Sequence, residues 1–218
     1  MDRDLQAFLN GVRGTARRDH LATYEDLTLE LDTYLSPRRR SAARLASTEL
    51  RRFLGAWYLR AQGASSSRRT RRFCAAMLVL VRWLAQQAPA RRRRALLREA
   101  RQLSRALSRA ARASELLEFV EPQRASEATE VVEDYFEVVA RGGSHVALRP
   151  LSAGTSWRAA PLGPVAVPAR LAASLDPGSF VNLQLGRSQD RWSILDYGFC
   201  YPSSARTALC DVLQLEAH

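Results

Sequence analysis

Residues 91–112 read RRRRALLREARQLSRALSRAAR, nine arginines with a single glutamate among them. At the 100° per residue of an α-helix, Leu96, Ala100, Leu103, Leu107, Ala110 and the following Leu117 cluster on one side. Arg91, Arg94, Arg98, Arg101, Arg105, Arg109 and Arg112 fall within roughly 80° of one another on nearly the opposite side. This division predicts a helix over about 90–119 that buries a leucine–alanine stripe and carries an arginine ladder. At about 1.5 Å of rise per residue the ladder is roughly 30 Å long. A merely solvated helix would set acids four residues from such arginines, because like charges at that spacing cost a few tenths of a kcal/mol per pair. No acid stands in the stripe.

The same imbalance governs the chain around this stretch. Of 218 residues 33 are basic, every one an arginine, and the formal net charge is +11. Between Pro37 and Arg112 stand 21 arginines against Glu49 and Glu99, a net of +19, whereas residues 1–36 carry −3 and residues 113–218 carry −5. Arginine without lysine, beside abundant alanine, points to a bacterial genome rich in G and C. That discounts the choice of arginine over lysine and leaves placement as the informative feature. At 46% hydrophobic the chain can bury an ordinary core, in one large domain or two small ones.

Upstream of the ladder the period is also helical. In 23–35, TYEDLTLELDTYL, the residues Tyr24, Leu27, Leu31 and Tyr34 share a face, Thr23 and Asp26 have capping spacing, and Ser36-Pro37 ends the element. In 47–61 Leu50, Phe53, Leu54, Trp57, Tyr58 and Ala61 make a broad apolar face. Gly63 and the serines at 65–67 break the chain and offer caps. A third helix, about 68–87, carries Phe73, Cys74, Met77, Leu78, Val81 and Leu84 and ends before Pro89. From about 133 the period becomes two: DYFEVVA, HVALRPL, GPVAVP, SFVNLQLGR and RWSILDYGFCYP alternate with the turns RGGS, SAGTS, LDPGS and SQD. Five short strands of this kind predict a small β-barrel, SH3-like or OB-like.

The order of elements from Thr23 to Gln87 resembles a known module. A helix with an aromatic near its start is followed by STELRRFLGAWYLRAQG, the serine turn ASSSRRT and RRFCAAMLVLVRWLAQQ. This is similar to the SAM-like core-binding domain of tyrosine recombinases, the phage integrase N-terminal type, over about 65 of the 218 residues. The resemblance implies helices laid against the DNA backbone. It does not imply recombination, because the family's Arg…His-x-x-Arg…Tyr set has no counterpart: His145 is followed by VALR.

Catalytic and metal chemistry find no foothold. His20, His145 and His218 are scattered and read as solvated or turn residues. Cys74, Cys200 and Cys210 show no zinc spacing and read as reduced thiols. GxSxG, Walker A, GxGxxG and HExxH do not occur. Glu130, Glu133, Asp134 and Glu137 suit a solvated face or strand entry as well as a cation. RGGS at 141–144 reads as a hairpin turn rather than an RNA-binding repeat. Trp157, Trp192, Tyr197, Phe199 and Tyr201 could offer a stacking platform, but alternation sets Trp192, Ile194 and Asp196 against Leu195, Tyr197 and Phe199, so some of them are core. The start, MDRDLQAF, lacks a signal-peptide pattern, and the longest apolar run, Cys74 to Val81, is far short of a membrane span of roughly 20 residues.

The expectation is therefore an α+β protein: a basic helical bundle of about four helices over 1–120, an acidic connector over 121–132, and a small β-barrel over 133–218. It is expected to be cytoplasmic and bacterial, without enzymatic activity, cofactor or metal. Nucleic acid, double-stranded DNA ahead of RNA, is the expected partner, gripped through its phosphates by Arg68, Arg69, Arg71, Arg72, Arg91, Arg94, Arg98, Arg101, Arg105, Arg109 and Arg112. No membrane partner is expected, since the apolar side of the ladder helix is committed to a bundle. The rival expectation is an adaptor whose basic domain docks an acidic protein.

Overall fold

A computed structural model describes residues 1–62, 66–152 and 160–216. Ser65 of the expected cap, Trp157 of the possible platform and His218 lie outside the described residues. The fold is mixed helix and sheet, and the chain divides into two compact units, Met1–Ser108 and Arg109–His218.

The first unit is helical. Helix α1 (Arg3–Arg13) starts at Asp2, whose side chain accepts from the backbone N–H groups of Asp4 and Leu5, and it buries Leu5, Phe8 and Leu9 at helical spacing. Helix α2 (Arg18–Leu35) buries Leu27, Leu31 and Tyr34 and ends in a tight turn, Ser36–Arg38, that contains Pro37. It begins five residues before Thr23, so the expected Thr23–Asp26 cap does not form. The Thr23 hydroxyl instead donates to the carbonyl of Asp19 at 3.3 Å, one turn back.

Helices α3 (Ser47–Arg52) and α4 (Tyr58–Gln62) are joined by a π-helical turn, Phe53–Trp57. The extra residue in that turn rotates the buried face. Ala56 and Leu59 are buried where a strict 3.6 period selects Trp57 and Ala61, which are half-buried and exposed. An aromatic cluster forms as a result. Phe53 lies 5.2 Å from Tyr34 and 5.4 Å from Trp57, and Tyr58 stacks on Phe73 at 4.0 Å.

Beside the cluster sits a buried carboxylate. Glu49, 2% exposed, accepts from the Tyr34 hydroxyl at 3.0 Å and pairs with Arg40 at 2.9 Å. Burial, with the Glu49 carboxylate beside it, pushes the Tyr34 hydroxyl up to about 12.

Helix α5 (Ser67–Leu84) is capped by Ser66, whose hydroxyl accepts from the N–H of Arg69 at 3.2 Å. It buries Phe73, Cys74, Met77, Leu80 and Val81. A short turn, Ala85–Gln87, and Pro89 separate it from α6 (Ala90–Leu117), and a link this short makes antiparallel neighbours. The Cys74 thiol accordingly lies against the hydroxyls of Ser108 and Ser104. Burial pushes it up to about 11 against the pull of those hydroxyls. All six residues expected on the apolar side of α6, Leu96 to Leu117, are buried.

The second unit holds five strands, β1 (Glu130–Arg141), β2 (His145–Pro150), β3 (Leu162–Ala166), β4 (Phe180–Ser188) and β5 (Arg191–Tyr201). They close into a barrel in the order β1-β2-β3-β5-β4. Neighbours are antiparallel except β3 and β5, which meet in parallel at Val165 and Trp192. Phe136, Val138, Leu148, Val165, Leu185 and Ile194 fill the interior. A short helix α7 (Ala169–Ser174) lies between β3 and β4, and α8 (Arg206–Glu216) follows β5. Periodicity had indicated neither.

Register shifts along β5 opposite Val181/Leu183 and Gln184/Leu185 break its alternation. Leu195 is buried beside Trp192 and Ile194, while Asp196 is exposed. Two acids serve the barrel itself. Asp134, 4% exposed, accepts from the N–H groups of Ser152 at 2.9 Å and Tyr135 at 2.6 Å. Glu137 holds Arg149 at 3.5 Å and Arg206 at 2.5 Å. The Cys200 N–H donates to the hydroxyl of Ser114 at 2.9 Å, and burial pushes the Cys200 thiol up to about 12.

Two outcomes follow from these buried groups. Glu49→Ala strands the Tyr34 hydroxyl and lowers stability by about 1–3 kcal/mol in denaturant titration. The thiols of Cys74 and Cys200 and the Tyr34 hydroxyl, all raised above their ordinary 9.0 and 10.0, ionise sooner in the unfolded chain. Stability is therefore full below about pH 9 and declines as pH climbs toward 11, which melting curves at successive pH values measure.

Candidate nucleic-acid interface

The seven ladder arginines are exposed, each on the side of α6 away from its buried leucines. Those in the first unit, Arg91, Arg94, Arg98, Arg101 and Arg105, have no acidic side chain within ion-pair distance among the described residues. The two in the second unit are engaged. Arg109 meets Asp176 at 2.7 Å, and Arg112 meets Glu115 at 3.0 Å. Free guanidinium charge is thus concentrated on the first four turns of the helix.

The four arginines at the start of α5 have different surroundings. Arg68, Arg69 and Arg72 line an open cavity of about 460 Å³ whose facing wall, on α2, carries Asp19, Asp26 and Glu30. Arg69 reaches Asp26 at 3.6 Å, and Arg71 donates to the carbonyl of Ser67 at 3.4 Å. Burial raises the Glu30 carboxyl above its ordinary value, and a hydrogen bond from Gln62 opposes the rise. A phosphate approaching these arginines meets carboxylates with them. One approaching the first-unit ladder meets arginines that hold no acid among the described residues.

Glu99 leads to arginines that the sequence pattern missed. Its carboxylate pairs with Arg51 of α3 at 2.5 Å, which brings Arg51 to the edge of α6 that borders its buried face. Arg52 follows Arg51 on the same exposed end of α3. The available signal was the adjacent pair RR at 51–52 ahead of an apolar run. Its nearness to the ladder is a contact across 48 residues, which local periodicity does not carry.

No protein family, curated protein or solved structure matches the chain.

The remaining candidates are spread through the two units. Among the described residues no group of three or more His, Cys, Asp or Glu is placed to hold a metal ion, and no helix is long and apolar enough to cross a membrane. His20 is exposed beside Asp19 at 3.9 Å. RGGS forms the β1–β2 connection, where the N–H of Gly142 donates to the carbonyl of His145 at 2.8 Å. The His145 ring lies so close to Gly142 that a Cβ there would stand 2.3 Å from it. Of the aromatics considered for stacking, Trp192 and Tyr201 are buried, and Tyr197 and Phe199 are half-buried.

The unequal pairing along α6 has a measurable consequence. Arg109→Ala loses an exposed ion pair and costs up to about 1 kcal/mol. Arg98→Ala and Arg105→Ala relieve repulsion between like charges and leave stability unchanged or higher by a few tenths of a kcal/mol. Urea titration of the three variants separates the two classes.

Proposed function

We propose that this chain binds double-stranded DNA through its phosphates, using the exposed arginines on the first-unit part of α6, with little reading of base sequence. The observation that carries the reading is the run from Arg91 to Arg105, five exposed guanidinium groups on one helix face without acidic partners among the described residues. Side chains that repel one another gain most from a partner presenting anions at regular intervals, and release of condensed counterions supplies the free energy. The expected arginines of α5 contribute less, because carboxylates share their cavity. Arg109 and Arg112 contribute only if they exchange their acids for phosphate.

The barrel belongs to the OB-like class on this reading. Support comes from the order β1-β2-β3-β5-β4, the parallel closure between β3 and β5, and the helix between β3 and β4. Its exposed acids Glu130, Glu133, Asp190 and Asp196 repel phosphate, so the duplex is assigned to the first unit. The protein acts by binding rather than catalysis, in the cytoplasm of a bacterium. A second reading, docking of an acidic protein, draws on the carboxylates that Arg69, Arg109 and Arg112 already hold.

The test is a fluorescence-anisotropy titration of the full chain with a short duplex of arbitrary sequence. Affinity falls about a thousandfold or more between 50 and 200 mM salt if about six phosphates are engaged. Replacing Arg98, Arg101 and Arg105 together with Gln removes most of the affinity while the melting temperature holds or rises. Absence of binding at 50 mM salt, or full affinity in the folded triple variant, overturns the reading. Equal affinity for polyglutamate favours the acidic-protein alternative.

A further inference from the structure

A second group of arginines meets α6 through Glu99 and takes no part in the reading above. Arg38, Arg40, Arg51 and Arg52 are all exposed and converge from the turn after α2 and from α3. The Arg38 guanidinium lies over the Tyr34 ring, 4.0 Å from its centre, and donates to the Tyr34 carbonyl at 2.6 Å. Arg40 is fixed by the buried Glu49 at 2.9 Å. The charges of Arg38 and Arg52 both oppose the rise of the Tyr34 hydroxyl, which puts both close to that ring. Arg51 reaches across to Glu99 at 2.5 Å. One buried carboxylate and one tyrosine thus organise several guanidinium groups, and the ion pair with Glu99 ties this cluster to α6.

The ordering has an energetic meaning. A flexible surface arginine gives up rotamer freedom when it binds an anion. Arg38 and Arg40 are already held by a ring, a carbonyl and a carboxylate, so less of that loss falls at the moment of binding. Glu49 balances one charge of the cluster and Glu99 a second, which leaves a net of two positive charges on Arg38, Arg40, Arg51 and Arg52. The outcome is two rows of positive charge, one on α6 and one on α3 with the turn after α2, with Glu99 between them. A single strand offers one line of phosphates to such a surface, and a duplex offers two.

We propose that Arg38, Arg40, Arg51 and Arg52 form a second phosphate-holding row, and that the two rows together select a double strand over a single one. The inference rests on the reading of the ladder as a duplex-binding surface and adds to it the residues that set the preference for a double strand. Glu99 subtracts one charge from the seam between the rows.

The experiment uses the full chain and two probes, a short generic DNA duplex and one of its strands alone. The variant Arg51→Gln with Arg52→Gln is compared with Arg60→Gln, an exposed arginine on α4 outside both rows, with melting curves on every sample. The double variant loses about tenfold in duplex affinity and about two units of salt slope, while its affinity for the single strand changes less than about threefold. Glu99→Gln removes the acid between the rows and raises duplex affinity severalfold. If the double variant melts early, Arg52→Gln, which leaves the Arg51–Glu99 pair in place, is measured on both probes and loses about threefold on the duplex alone. Equal loss on both probes, no greater loss than Arg60→Gln, or unchanged affinity in Glu99→Gln overturns the second row. Wild-type chain that fails to bind either probe overturns the ladder reading itself, so the two failures are distinguishable.

Discussion

A helix that lines up seven arginines on one face persists only because its opposite face is buried. Neighbouring guanidinium groups three and four residues apart along α6 repel by about 0.2–0.5 kcal/mol per pair, on the order of 2 kcal/mol for the whole ladder. Burying Leu96, Leu103, Leu107 and Leu117 stabilises by about 1.5–3 kcal/mol each, several times the repulsion. Burial wins, and the repulsion remains as an unrelieved force directed outward. Among the described residues no acid pairs with the five ladder arginines of the first unit, while Asp176 and Glu115 pair with the two of the second.

What was legible in the sequence was what local spacing carries. The leucine–alanine stripe of α6, the apolar faces of α2 and α5, and the five strands all follow from periods of 3.6 and two. The missed features are ones that break a period or join distant residues. The π-turn at Phe53–Trp57 swaps Trp57 and Ala61 for Ala56 and Leu59, and no composition signal marks the added residue. The register shifts in β5 turn Leu195 inward beside Ile194. Helix α1 was missed, although Leu5, Phe8 and Leu9 have helical spacing after Asp2. α7, at six residues, is shorter than any period can establish.

The candidate surface divides along the same line. That the ladder would be exposed could be read from the angle between arginines and leucines. That Arg112 meets Glu115 three residues on is within reach of local spacing, but that Arg109 meets an acid is not, because Asp176 lies 67 residues away. The arginines at the start of α5 looked equivalent to the ladder by count. They differ in that α2 faces them with Asp19, Asp26 and Glu30.

The barrel of the second unit is closed by a parallel junction between β3 and β5 at Val165 and Trp192. A closed barrel offers no row of unpaired backbone N–H and C=O groups, so another polypeptide cannot extend it by adding a strand. Recruitment to this unit has to go through side chains, and the unit resists the edge-to-edge stacking that leads to fibrils. The single bridged pair at that junction, against eight along β1 and β4, makes it the first place where thermal opening would expose a sticky edge.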